Sequence, residues 1–136
     1  MSQLFSRLES LSAHLNQASD SLNDAIKTLE AKLASLRLGV EAWVEIDRES
    51  DKDMAGDVRV LLGYARCNGN WCLAVSYVPD WDPEDSPNTP LQQASRELRL
   101  KAFKHIPALI QKLEKASEET LAEVEKMKLV AKTLTD

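Results

Sequence analysis

Apolar side chains follow one another at alternating steps of three and four along the first 38 residues. This is the spacing of a heptad repeat, which places its members on one face of an α-helix. The members are Met1, Leu4, Leu8, Leu11, Leu15, Ala18, Leu22, Ala25, Leu29 and Leu36, and only Lys32, between the last two, interrupts the series. Gly39 follows the repeat and suits the left-handed position that ends many helices. The pattern predicts an N-terminal amphipathic helix over residues 1–38.

The period changes to two after Gly39. Apolar residues at 40, 42, 44 and 46 alternate with polar or aromatic ones, which is typical of a half-buried strand. Two further apolar segments, 57–66 and 71–78, flank Asn68-Gly69, the preferred pair for a two-residue type I′ turn. The sequence therefore predicts a three-stranded antiparallel meander over 39–78, with a polar loop over 48–56.

The Asn68-Gly69 turn also predicts the pairing of the hairpin. Tyr64 would lie opposite Leu73, and the next apolar pairs along the hairpin would follow in the same register. The opposite face would carry only small side chains, at Gly63, Ala65, Cys72, Ala74 and Ser76. Small residues allow a close approach, so we expect a helix to lie across this face; a shallow ligand groove is the alternative.

The final third of the chain reads as a connector and a helix. Residues 79–89 are acidic and rich in proline, which favours extended backbone. Thr89 can cap a helix that starts at Pro90. An apolar stripe then runs to Leu134, and Pro107 inside it predicts a kink or a break near Lys104 to Ile106. The pattern predicts a C-terminal helix over 90–134.

These elements indicate an α+β fold in one domain, residues 1–136. Two long amphipathic, coiled-coil-like helices flank a small three-stranded antiparallel sheet. This order of helix, hairpin and helix is similar to that of prefoldin-type chaperone subunits, from which the third strand and the kink at Pro107 depart.

The N-terminal stripe holds more leucine than one partner helix needs. We therefore expect a homo-oligomer, with a dimer favoured, whose interface includes Leu8, Leu11, Leu15, Leu22 and Leu29.

The charged residues are unevenly distributed along the chain. Residues 39–90 carry eleven acidic and four basic side chains, within a net charge of −5 for the whole protein. Residues 96–104 are locally basic. We expect the acidic middle and the basic helix segment to attract each other, within one chain or between two. A negative protein repels polyanions, so nucleic acid is an unlikely partner.

The sequence offers little for catalysis or for metal binding. It contains no glycine-rich phosphate loop and no nucleophile or zinc-protease motif, and its two histidines stand alone. We expect no enzyme activity, no cofactor and no metal. Cys67 and Cys72 are expected to be free thiols. No apolar run is long enough to span a membrane, and we expect a cytoplasmic protein without membrane contact.

The function indicated is that of a non-catalytic protein–protein interaction module. It would act as an adaptor or an inhibitor, with a phage or another mobile element as one possible source. The residues expected to contact a protein partner are Trp81, Asp82, Arg96, Arg99 and Lys104. The alternative is a small-molecule or nucleotide binder that uses the small-residue sheet face beside the Arg96/Arg99 helix.

Overall fold

The computed structural model describes residues 2–51, 56–83 and 87–136. The chain forms two compact units, Met1–Leu36 and Arg37–Asp136, and each is described by itself. Within the described residues the fold is mixed α+β, with three α-helices and a four-stranded antiparallel sheet. The α+β class is therefore confirmed. The expected three strands and two helices are corrected to four and three.

The first unit is one helix, α1, over Ser2–Leu36. It ends two residues earlier than the predicted boundary, because Arg37 turns into the left-handed region at φ 51°. Gly39, which was expected to make this turn, also has a positive φ of 63°. The chain thus changes direction over Arg37 and Gly39 together.

The sheet of the second unit follows sequence order. Its strands are β1 (Ala42–Asp51), β2 (Gly56–Cys67), β3 (Asn70–Pro79) and β4 (Thr89–Pro90). The fourth strand is a correction, since residues 89 and 90 were expected to start a helix. A residue before proline is biased toward extended backbone. Thr89 accordingly pairs with Val75 of β3, and Pro90 pairs with Ala74.

The β2–β3 hairpin has the predicted turn and register. Tyr64 pairs with Leu73, and Leu62 pairs with Val75. Both turn residues have the positive φ that a type I′ turn requires, 54° at Asn68 and 87° at Gly69. The Asn-Gly signal therefore fixed the cross-strand pairs correctly.

The first strand is longer than its alternation indicated. It continues to Asp51, through residues 48–51 that were expected to lie in a loop. A bulge between Glu45 and Asp47 shifts the register, so that Asp47 pairs with Val60. A bulge adds one unpaired residue and changes which face the following side chains occupy. Gly56, the last residue of the expected loop, begins β2, and residues 52–55 lie outside the described residues.

The expected C-terminal helix is divided. A 3₁₀ turn over Leu91–Gln93 comes first, then α2 (Arg96–Phe103) and α3 (Ile106–Thr135). The capping residue is Ser95 and not Thr89, because the Ser95 hydroxyl accepts a hydrogen bond from the Leu98 N–H at 3.2 Å. Pro107 stands in the first turn of α3, where its missing N–H costs nothing. The break at residues 104–105 lies where the sequence predicts a kink or a break, near Lys104 to Ile106.

The core of the second unit lies on the face of the sheet with the large apolar side chains. Val60, Leu62, Leu73 and Val75 are all at most 1% exposed. Helix α3 contacts β1 and β2, and the 3₁₀ turn contacts β3. In the described part of the chain, no helix has the length and apolarity needed to cross a lipid bilayer.

Candidate protein–protein interface

One apolar stripe runs along almost the whole of α3. Its first members, Ile106, Leu109 and Leu113, are buried. The stripe recurs eighteen residues later at Val124, Met127 and Ala131. At 3.6 residues per turn, eighteen residues make five complete turns. The second set therefore lies on the same face of the helix as the first.

The second part of this stripe is open to solvent. Every residue from 118 to 136 is exposed. Val124 and Met127 each expose 50% of their surface, and Leu121 exposes 59%. Exposed apolar side chains that repeat along one face of a helix are typical of a surface that binds another protein. We call residues 117–134 the free segment of α3.

The leucines that were expected to form an oligomer interface occupy one face of α1. Leu8, Leu11 and Leu15 are 59%, 45% and 50% exposed. Leu22 and Leu29, farther along the helix, are half-buried. The N-terminal part of α1 therefore presents an apolar stripe, as the free segment of α3 does. The interface itself remains a prediction.

The charges on the free segment change sign halfway along it. The first half carries only carboxylates, Glu118, Glu119, Glu123 and Glu125, and the second half only ammonium groups, Lys126, Lys128 and Lys132. One ion pair bridges the boundary, with 3.4 Å between Lys128 Nζ and Glu125 Oε2. All of these residues are exposed, so the charges are available to a partner.

Two expected partner-binding residues, Trp81 and Asp82, follow the end of β3. Trp81 is 41% exposed, and its ring lies beside Gly56 at the start of β2. Asp82 is exposed, and its backbone N–H donates to the Pro79 carbonyl at 3.2 Å. Both side chains are thus accessible at one end of the sheet.

The basic residues of α2 differ strongly in exposure. Lys104 is exposed, Arg96 is half-buried and Arg99 is only 9% exposed. Both arginines already have polar or electrostatic partners within the chain. Lys104 is therefore the most accessible of the three to another protein, while Arg99 lies in the packed side of α2.

The sequence did not single out the ion pair that joins α2 to the sheet. Lys101 Nζ lies 2.8 Å from Asp47 Oδ2. The hydrogen bond from Lys101 and one from the Arg48 N–H lower the pKa of Asp47, and the hydrogen bond to Asp47 raises the pKa of Lys101. The pair gives one instance of the expected attraction between the acidic middle and the basic helix segment.

The alternative function, binding of a small molecule or nucleotide, requires the small-residue face and the basic helix to form one site. Asp47 shares the large apolar face with Val60, with which it pairs, so its partner Lys101 holds α2 over that face. The small-residue face is on the other side of the sheet, where Trp43 packs against Cys67, Cys72 and Ala74. The two features therefore do not form one pocket in the described chain.

The two cysteines lie in the strands of the β2–β3 hairpin. Cys67 and Cys72 are both buried, and no disulfide joins them. Within residues 2–51, 56–83 and 87–136, no three His, Cys, Asp or Glu side chains come together as a set of metal ligands. The geometry thus directs attention to the exposed helical stripes.

No protein family model matches the sequence, and no curated protein or solved structure is significantly similar to it. The similarity in element order to prefoldin-type chaperone subunits therefore assigns no family.

Proposed function

We propose that this protein is a non-catalytic interaction module that forms a homo-oligomer, most simply a dimer, through its long helices. The observation that carries the proposal is the continuity of the α3 stripe. Its first part is buried through Leu109 and Leu113, and its second part is exposed through Val124 and Met127. Burying an aliphatic side chain of this size contributes about 1.5–3 kcal/mol.

The exposed leucines of α1 support the same proposal. Leu8, Leu11 and Leu15 repeat at heptad spacing and are all at least 45% exposed. Heptad stripes of this type are buried in helical bundles and coiled coils. A second copy of the chain would supply helices with the same pattern.

The oligomer would present its sheet end and α2 to a protein partner. Trp81, Asp82 and Lys104 are the exposed members of the expected contact set. Tryptophan is frequent among residues that dominate binding energy. Arg96 and Arg99 would support this surface from within α2. We expect the protein to act in the cytoplasm, a proposal supported by two cysteines, Cys67 and Cys72, that form no disulfide.

The test is a pair of matched substitutions on α3. Val124→Glu places a charge in the exposed stripe, whereas Leu129→Glu places the same charge five residues away on another face of the helix. Leu129 is itself 68% exposed. The proposal expects Val124→Glu to reduce the molar mass in solution to that of one chain and Leu129→Glu to leave the oligomer intact. Equal behaviour of the two variants would contradict it.

A further inference from the structure

One side of α3 is already covered over its first turns. Ile106, Leu109 and Leu113 are buried there by other parts of the same chain. Val124 and Met127 face the same direction five turns later. A partner helix on the exposed stripe must therefore lie on the side of α3 that its own chain covers at residues 106–113.

This geometry selects the direction of a partner α3 from a second copy. In a parallel pair in register, residues 106–113 of the partner would lie beside residues 106–113 of the first chain, on the side that each chain already covers. In an antiparallel pair centred on the free segment, the partner's first turns lie beyond Thr135, where the helix ends. Only the antiparallel pair leaves the covered turns of both copies undisturbed.

The charges of the free segment favour the same direction. A parallel pair would place the acidic half, Glu118 to Glu125, beside its own copy, and the basic half, Lys126 to Lys132, likewise. An antiparallel pair places each acidic half beside a basic half. Neighbouring helices pack 8–10 Å apart, which is about one Debye length at physiological salt, so these charges still interact.

We propose that α3 pairs antiparallel with α3 of a second copy, with the two-fold axis passing between residues 125 and 126. This inference rests on the proposed function and specifies its interface. The register places Thr120 opposite the partner's Ala131, Val124 opposite the partner's Met127 and Ser117 opposite Leu134 of the partner subunit. The overlap is then the free segment itself, about 26 Å long at 1.5 Å per residue.

The spacing of the stripe suits this register. Its positions in the free segment are 117, 120, 124, 127, 131 and 134, which follow one another at steps of three, four, three, four and three. The first two are the polar Ser117 and Thr120, and the other four are apolar. The series is the same in both directions, so every layer of the antiparallel pair contains one residue from each chain. A two-fold interface of this kind is self-complementary, because each contact occurs twice.

Engineered disulfides test the direction. We would prepare Thr120→Cys and Ala131→Cys separately, oxidise each alone and in an equimolar mixture, and map the crosslinks by peptide mass spectrometry. Native Cys67 and Cys72 are buried and stay in place. Two Thr120 positions would lie about 16 Å apart along the antiparallel pair, beyond the roughly 7 Å limit between Cα atoms for a disulfide.

The expected result is a crosslink between positions 120 and 131 that forms in the mixture at least tenfold faster than in either variant alone. Rapid crosslinking of Thr120→Cys with itself would show a parallel pair and overturn the inference while the oligomer stands. Absence of the mixed crosslink in a protein that is oligomeric, with α1 substitutions alone dissociating it, would also overturn it.

Charge reversal gives a second and independent test. The variant Lys128→Glu/Lys132→Glu places carboxylates beside the partner's acidic half, and we expect its dimer to be at least tenfold weaker. Adding Glu118→Lys and Glu125→Lys to the same chain should restore the affinity, with helicity by circular dichroism as the control. Failure of the fourfold variant to restore the dimer would contradict the antiparallel register. A monomeric wild-type protein would instead defeat the proposed function.

Discussion

The indole of Trp43 lies directly over Gly63, its cross-strand partner in the sheet. Its fused-ring atoms occupy the space in which a Cβ on residue 63 would stand. The Trp43 Nε1 donates a hydrogen bond to Glu41 Oε1 at 2.7 Å, which fixes the ring at this site. The Trp43 side chain on β1 can therefore occupy this position only because Gly63 on β2 has no side chain.

Gly63→Ala should destabilise the protein, because the new methyl group displaces the indole. Overpacking of this kind costs about 1–3 kcal/mol, measured as the free energy of unfolding in urea. The same substitution in a Trp43→Ala background should be neutral or stabilising, since alanine suits a strand better than glycine. An equal loss in both backgrounds would contradict the contact.

The Asp47–Lys101 ion pair should stabilise the fold at neutral pH. This stabilisation should be lost at low pH and at high pH. The lowered pKa of Asp47 makes its contribution complete above the ordinary carboxyl value of about 4 and lost as the pH falls through its folded pKa. The raised pKa of Lys101 makes its contribution complete below about 10 and lost as the pH rises through its folded pKa. A double-mutant cycle with Asp47→Asn and Lys101→Met should show coupling at pH 7 that weakens as the pH falls through the folded pKa of Asp47. Coupling that persists at low pH would rule out this ion pair as its source.

Ser95→Ala should remove the cap of α2. The Leu98 N–H then loses its acceptor, at a cost of about 0.5–2 kcal/mol in thermal or urea unfolding. Thr133→Ala is the matched control, since its hydroxyl only returns to the Leu129 carbonyl within an exposed turn. If the two variants lose the same stability, the cap has no special role.

Arg99 and Lys104 should respond differently to truncation. Arg99→Ala removes a side chain that is 9% exposed and should cost about 1–3 kcal/mol, through lost packing as well as lost charge. Lys104→Ala removes an exposed side chain and should stay within about 0.5 kcal/mol of the wild type. The midpoint of urea unfolding distinguishes them, and a reversed order would contradict the placement of α2.

Local patterns in the sequence were sufficient to predict α1 and the β2–β3 hairpin. Heptad spacing and the Asn-Gly turn act through nearby residues, so they are readable without tertiary context. The short strand at Thr89 was missed, because the same Thr-Pro pair suits a helix start and an extended segment. Whether Thr89 and Pro90 start a helix or form a strand depends on whether β3 lies beside them.

The candidate interface was only partly predictable. The eighteen-residue recurrence of the α3 stripe can be read from the sequence, but the point at which burial ends after Leu113 depends on the extent of the sheet. Likewise, alternation alone could not show that Trp43 would cover Gly63, since the bulge at Glu45/Asp47 and the strand register decide the contacts. Which exposed residues contact a partner depends on tertiary structure.

The most direct test of the account is the molar mass of the wild-type protein in solution. Size-exclusion chromatography with light scattering should give a mass of at least twice the 15.2 kDa of one chain, falling to one chain on dilution or on Val124→Glu. A mass of 15.2 kDa at every concentration would contradict the account, since the exposed stripes of α1 and α3 would then have no second copy to cover them.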